Sequence, residues 1–203
     1  MLEENQVPIS ARLAEELDVT PPAVTAAVKR MARDGYVKVE RGGGIVLTAK
    51  GRKVAQDLMV RHQLAEMLLT EVIGLSWAKA HAEAERMEHA ISPQVEALLL
   101  KRFASNKTCP HGVPIRGGVA QVRKQGGILL SELQAHETAE ILCVYEKDEG
   151  FLEFLEGLHL RPSTKFEVLK REYDETMTLR VAGHITHLGK PATTRIWVRR
   201  LPA

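Results

Sequence analysis

The sequence predicts an α+β chain in three parts: an N-terminal winged helix-turn-helix, a helical middle, and a small C-terminal β-barrel of the SH3-like type. Three observations carry this. Two short amphipathic helical patterns flank a tight turn ahead of Asp34, apolar spacing is helical from Thr48 to about Phe103, and past Gly127 the pattern breaks into short alternating stretches. A chain of 203 residues with 44% hydrophobic content has room for two or three small cores. The expected boundaries are 1–56, 57–126 and 127–203. No apolar run approaches the roughly 20 residues that span a bilayer, and the N-terminus has neither a basic stretch nor an apolar signal core. The expectation is a cytoplasmic protein with no membrane partner. Cys109 and Cys143 lack paired ligand spacing, so both are read as structural thiols.

Taken in order, the first pattern begins at Ser10 and the second follows a turn at Asp18-Val19. Thr20 stands at the N-cap of the second helix, with Pro21 and Pro22 in the first turn, where a missing N–H costs nothing. Val24, Val28 and Met31 recur at helical spacing toward a core, leaving Thr25, Ala26 and Lys29 outward. After Asp34-Gly35 the period changes to two. Tyr36 to Glu40 and Ile45 to Leu47, around Gly42-Gly43-Gly44, read as the two strands of a wing. Between Thr20 and Lys53 eight Lys or Arg face two acids, a local excess of +6 in a chain whose formal charge is +2, leaving about −4 elsewhere. A basic segment on an otherwise acidic chain is the footprint of phosphate contacts. Proteins of this pattern place the second helix in the major groove of DNA and the wing on phosphates.

Three helices are expected next, from Thr48 through Thr70, from Ser76 to Ala90 and from Ser92 to Phe103, the last opened by Ser92-Pro93. Residues 109–127, rich in Gly and Pro, read as a loop or linker. Strands are expected at Glu140–Tyr145, Lys165–Arg171, Met177–Val181, His184–Leu188 and Arg195–Val198, with one helix at Phe151–Gly157.

The chemistry concentrates in His81-Ala-Glu-Ala-Glu-Arg-Met-Glu-His89. With His81 at zero on a helical wheel, Glu85 falls near about 40°, Glu88 near about −20° and His89 near about 80°, one arc of about 100°. Two imidazoles and two carboxylates turned inward are costly unless paired, protonated or bound to a cation. His62 and Glu66 offer an i, i+4 pair from the preceding helix. Oxygen and imidazole donors suit Mn2+ and Fe2+, while the affinity order alone still favours Zn2+ or Cu2+ in a test tube. Zn2+, Co2+, Ni2+ or Cd2+ are the further cations expected in vitro. Two rival readings use the same residues: a structural His/Glu ion-pair network in a metal-independent winged-helix regulator, and the catalytic centre of a metallohydrolase. The sequence carries no nucleophile motif and no phosphate loop.

The chain resembles the diphtheria-toxin-repressor family of metal-dependent regulators along essentially its whole length. The resemblance rests on Leu2-Glu3-Glu4, Arg30-Met-Ala-Arg-Asp-Gly35, Leu47-Thr48-x-Lys50-Gly51-Arg52, His62-x-x-x-Glu66, Trp77 to His89, and Cys109-Pro-His-Gly112. It implies a dimer that binds operator DNA, with no enzymatic activity and no small organic substrate. The middle domain would bind metal and dimerise, and the C-terminal domain would be similar to those of ferrous-iron transport accessory proteins. Glu85, Glu88 and His89 match the family's primary site; His62, Glu66 and His81 match its ancillary site. The glutamate at 85 is similar to the manganese-responsive branch, and the three-domain length to the iron-responsive one. The family also lends a Met or Asp ligand from a helix before the winged-helix pair, and Met1 aligns near the end of that helix. Asp148 or Glu149 would lend a ligand from the barrel. Thr20, Pro22, Ala23, Thr25 and Ala26 match positions that face DNA, with Lys29, Arg30 and Arg41 beside them. Ala26 stands where the family has a polar residue, which implies more methyl or water-mediated readout.

Overall fold

A computed structural model describes residues 9–202. Met1 and Leu2-Glu3-Glu4, with the expected first-helix ligand, lie outside the described residues. The chain divides into two compact units, Met1–Met59 and Val60–Ala203.

In the first unit, α1 (Ser10–Glu16) and α2 (Pro21–Arg33) precede a two-stranded antiparallel hairpin, β1 (Val37–Val39) with β2 (Ile45–Leu47). Ala14, Val24, Val28, Val37 and Ile45 form its core, so the helix pair and the wing share one small apolar nucleus. Two expectations are corrected. Met31 is 40% exposed, because the buried stripe of α2 narrows to Val24 and Val28. Thr20 holds the extended N-cap conformation but its side chain makes no capping bond; the prolines behind it leave fewer N–H groups to cap. The wing turns through Gly42 and Gly43, at φ 97° and 85°, which glycine adopts without Cβ strain. It is closed by the Glu40 N–H donating to the Gly44 carbonyl at 2.8 Å. Thr48 then caps the next helix, its Oγ1 accepting from the Gly51 N–H at 3.0 Å and donating to the Gly35 carbonyl at 2.7 Å.

That helix, α3 (Ala49–Met67), runs on into the second unit and widens into a π-helical turn, Leu68–Ile73, that ends at Gly74 with φ 81°. α4 (Trp77–Met87) is capped by Ser76 and tightens into a 3-10 turn, Glu88–Ala90; α5 (Pro93–Arg102) is capped by Ser92. Leu64, Ala65, Met67, Leu69, Ala84, Ile91, Leu99 and Phe103 form the helical core. The stretch expected to be a bare linker contains α6 (Gly118–Lys124), whose Val119 and Val122 pack with Cys109, Val113 and Cys143.

Six antiparallel strands follow, β3 (Ile128–Leu129), β4 (Thr138–Val144), β5 (Lys165–Arg171), β6 (Met177–Val181), β7 (His184–Leu188) and β8 (Ile196–Arg200), in the order β3-β8-β4-β5-β6-β7. β5, β6 and β7 fall on the expected residues. β3 and the short helix α8 (Lys190–Thr193) were not expected, and α7 (Glu149–Gly157) starts two residues early. The sheet closes over Leu152, Leu155, Val168, Leu179 and Ile196, and Trp77 and Ala78 of α4 belong to the same core.

The approach of the 109–113 turn to β4 matters most for the site. The Cys109 N–H donates to the Val113 carbonyl at 2.9 Å, and the Val144 N–H donates to the His111 carbonyl at 3.1 Å. The turn needs Gly112, at φ 86°, because a Cβ there would stand 2.0 Å from the Leu142 carbonyl oxygen.

Candidate metal centre

Four segments of the second unit converge on one buried carboxylate. Glu66 lies on α3 one turn after His62 and is wholly buried. Its Oε1 stands 3.0 Å from His62 Nε2, 3.2 Å from His81 Nδ1 and 3.2 Å from His111 Nδ1. His62 Nε2 is itself 2.9 Å from His81 Nδ1. Glu146, two residues past β4, adds a second buried carboxylate. Its Oε1 is 3.9 Å from His81 Nδ1, while its Oε2 is 3.6 Å from His111 Nδ1 and accepts from the Cys109 thiol at 3.8 Å. Two tetrads result, His62/Glu66/His81/Glu146 and Glu66/Cys109/His111/Glu146, each with donor atoms within 4.8 Å of one another.

Ring orientation is fixed from outside the cluster. His111 Nε2 donates to the Trp77 carbonyl at 2.8 Å and its ring stacks on the Trp77 indole, which leaves Nδ1 with its lone pair toward the carboxylates. His62 Nδ1 lies 2.8 Å from Glu88 Oε2, which likewise leaves Nε2 for the centre. The electrostatics are those of donors packed together. Burial opposes the charged His62 ring, but Glu66, Glu146 and Glu88 prevail and raise its pKa to about 9. Burial and the Glu66 charge push the Glu146 carboxyl up to about 7. Burial, with Glu66 and Glu146 nearby, holds the Cys109 thiol well above its usual value. The three imidazoles keep Glu66 well below the usual range against its burial.

The residues fit a divalent cation. Glu66 Oε2 and His81 Nε2 are buried without a hydrogen-bond partner, an unfavourable arrangement for polar atoms unless a ligand takes them up. The donors are the imidazoles and carboxylates that Mn2+ and Fe2+ accept, with one thiolate that softer ions prefer.

The structure gathers His62, Glu66 and His81 as the sequence suggested, and brings Glu88 to them through His62. It does not turn Glu85 and His89 inward. Their side chains are 60% and 72% exposed, against 12% for Glu88; Glu85 reaches His81 Nε2 at 3.5 Å and His89 reaches Glu88 Oε1 at 3.5 Å. The buried face of α4 also carries Trp77, Ala80 and Ala84. It is therefore centred near about −20° on the same wheel, which puts Glu88 in its middle and Glu85 and His89 at its edge. Cys109, read as a structural thiol, belongs to the cluster, as do His111 and Glu146. The alternation Cys109-x-His111 was a usable signal; Glu146 had none. Asp148 and Glu149 are corrected: Asp148 accepts from the Phe151 N–H at 3.0 Å as the cap of α7 and takes Arg195 at 2.8 Å, and Glu149 opens that helix.

In the first unit Thr20, Pro22, Ala23, Thr25, Ala26, Lys29, Arg30 and Arg41 are all exposed. Thr25 Oγ1 donates to the Pro21 carbonyl at 3.0 Å, so its hydroxyl is left as an acceptor. No helix among the described residues is long and apolar enough to cross a membrane.

Three family models match the chain. Residues 1–45 match the N-terminal DNA-binding domain of iron-dependent repressors, 48–117 their metal-binding and dimerisation domain, and 128–200 the FeoA domain. The diphtheria toxin repressor of Corynebacterium efficiens is 34% identical over 180 residues, 84% of this chain and 78% of that protein. The iron-dependent repressor IdeR of Mycobacterium tuberculosis is 47% identical over 115 residues, 57% of this chain; that match spans 50% of the relative's own length, about half, as for the other mycobacterial relatives. Among solved structures, a manganese-dependent transcriptional repressor in complex with manganese superposes at TM-score 0.86 with 26% identity, covering 96% of this chain and 91% of that one. The repressor ScaR with bound Cd2+ superposes at 0.84 with 25% identity, covering 98% and 94%.

Proposed function

The chain belongs to the diphtheria toxin repressor family of iron-dependent repressors, and from that premise we propose that it is a metal-dependent transcriptional repressor that binds operator DNA as a homodimer. It acts as a regulator of metal homeostasis and not as an enzyme. Mn2+ or Fe2+ is its physiological cation, with Zn2+, Co2+, Ni2+ and Cd2+ able to take the same donors in vitro. The observation that carries this reading is the buried convergence of three imidazoles on one oxygen of Glu66, beside a second carboxylate and a thiol.

A bound divalent cation supplies the positive charge that lets these buried donors meet without protons between them. The rest is the work of the chain's own residues. Trp77 and Glu88 hold the His111 and His62 rings in the tautomers that face the centre. Glu85, Glu88 and His89, at the exposed end of α4, are the second candidate ligand set, joined to the first through His62. The exposed α2 face, from Thr20 through Arg30, reads the major groove, and Arg41 on the wing meets phosphate. Metal and DNA then bias one conformational equilibrium, so each tightens the other by the same factor.

The test is fluorescence anisotropy of a labelled duplex recovered by the metal-loaded protein from a random-sequence pool. The protein is stripped with chelator and titrated with Mn2+, Fe2+ and Zn2+. We expect tighter DNA binding by about tenfold or more, a coupling of about 1.4 kcal/mol. Glu88→Ala or His89→Ala should remove the stimulation and leave a folded dimer. DNA affinity indifferent to every cation would overturn the reading.

A further inference from the structure

One cavity of the second unit has a lining that the repressor reading does not use. Its volume is about 380 Å³, within the range of about 300–1,000 Å³ usual for small-molecule sites. Leu64, Leu100, Phe103 and Ile115 make its floor and walls, and Asn106, Lys107 and Arg116 stand at its mouth. Leu64 and Phe103 are buried, whereas Lys107 and Arg116 are exposed. No acidic side chain lines the cavity, and none occurs from Ala97 to Ser131, a stretch that carries six Lys or Arg. Neither Lys107 nor Arg116 has a side-chain hydrogen bond or ion pair among the described residues. The chain itself brings the two together: the Ile115 N–H donates to the Lys107 carbonyl at 3.2 Å, and Thr108 bridges Pro114. The loop between them is closed at its neck, and the two cationic residues flank that neck. Uncompensated positive charge beside an apolar cavity attracts an anion more strongly than the same charge in open water.

We propose that this cavity binds a small amphipathic carboxylate, its apolar body on Leu64, Leu100, Phe103 and Ile115 and its head group between Lys107 and Arg116. The head group follows from the donors at the mouth. A guanidinium and an ammonium together supply charge-assisted bonds to the two oxygens of one carboxylate. A phosphate has a third oxygen to satisfy, and the other N–H groups nearby are taken. The Ile115 N–H is held by Lys107, and the Asn106 amide donates to Glu71 Oε1 at 2.6 Å and to Met67 Sδ at 3.4 Å. The Asn106 bond also occupies Glu71, which therefore does not compete for the two cations. The apolar body follows from the walls: a wholly polar anion would leave Leu64, Leu100, Phe103 and Ile115 facing water, and an alkyl or aryl group covers them. None of the lining residues is a candidate metal ligand, so the assignment stands apart from the metal reading.

The experiment uses the full chain, stripped with chelator and titrated with octanoate below its micelle concentration by isothermal titration calorimetry. The expected result is one saturable octanoate site per chain, with 1-octanol, which has the same apolar body and no charge, weaker by about tenfold or more. Lys107→Gln and Arg116→Gln, both at exposed positions, should each weaken octanoate about tenfold and leave 1-octanol unchanged. Ala104 also lines the cavity and is exposed, so Ala104→Trp should fill the mouth and abolish binding of both. Equal affinity for octanoate and 1-octanol would overturn the proposal, as would octanoate binding that survives Ala104→Trp or the absence of a saturable site. Octyl phosphate bound more tightly than octanoate would overturn the carboxylate assignment. The octanoate and 1-octanol titrations of the parent protein decide the matter even where a variant fails to fold.

Discussion

At the scale of single residues the centre is held by side chains whose protons are in the wrong place for a metal. The folded, metal-free chain raises His62 to about 9 from its usual 6.5, and Glu146 to about 7 from 4.5. Each group binds its proton more tightly when folded, so each contributes stability that is full below the unfolded value and lost as pH rises through the folded one. The urea midpoint of the metal-free protein should therefore fall as pH rises from about 4.5 to about 9, while metal affinity rises over the same range because the cation displaces those protons. Urea midpoints with chelator present and metal titrations at matched pH check both slopes; a metal-free midpoint that rises with pH contradicts the buried His62–Glu66 pair. Gly112→Ala tests the turn. Its Cβ would meet the Leu142 carbonyl at 2.0 Å at a φ of 86°, so strain of about 1–3 kcal/mol is the floor. The variant should lose stability by at least that much and lose the Cys109 and His111 donors, read in the Co2+-loaded protein as the loss of a thiolate-to-cobalt absorption band.

At the scale of elements, the legible parts were those whose burial follows a single period. β5 and β6 stood out because Phe166 and Val168, Met177, Leu179 and Val181 alternate inward, and α2 because Val24 and Val28 lie one turn apart. α6 was hidden by Gly117 and Gly118 at its start, which read as breakers, although Val119 and Val122 sit at helical spacing. β3 and α8 are too short to show a period. The candidate site divides the same way. His62, Glu66, His81 and Glu88 follow helical spacing, whereas Glu146 joins them only because β4 pairs with the 109–113 turn, a contact between distant segments that local pattern does not contain. Conversely the wheel overstated Glu85 and His89, because it was centred on His81 and not on the alanines and Trp77 that set the buried face. Thr48 is an element-scale device that local sequence does reveal. Its hydroxyl caps α3 and ties it to Gly35, so Thr48→Ala should cost about 0.5–2 kcal/mol. The loss should fall on the Met1–Met59 unit, measured by amide hydrogen exchange at β1 and β2. Unchanged protection there would mean that the cap contributes nothing beyond helix propensity.

At the scale of the whole molecule, two compact units with separate cores divide the work. All nine candidate metal ligands among the described residues, from His62 to Glu146, lie in Val60–Ala203, and the exposed residues proposed to face DNA lie in Met1–Met59. A cation that binds only the folded second unit stabilises that unit by mass action, about 2.7 kcal/mol at a free concentration 100 times its dissociation constant. At about 2–4 °C per kcal/mol for a domain of this size, its calorimetric transition should rise by about 5–10 °C. The first unit's transition should stay where it was, since none of its described residues is a candidate ligand. A second transition that ignores Mn2+ would remove the buried cluster from consideration as a metal centre. A first transition that rises in step would have the opposite meaning. Either a residue of the first unit then completes the coordination, as the family resemblance implies for its opening helix, or α3, which carries His62 and Glu66 and begins just after the wing, transmits the stabilisation. Repeating the scan with His62→Ala and Glu66→Ala together separates those two, because the pair removes both α3 ligands and leaves a first-unit ligand in place.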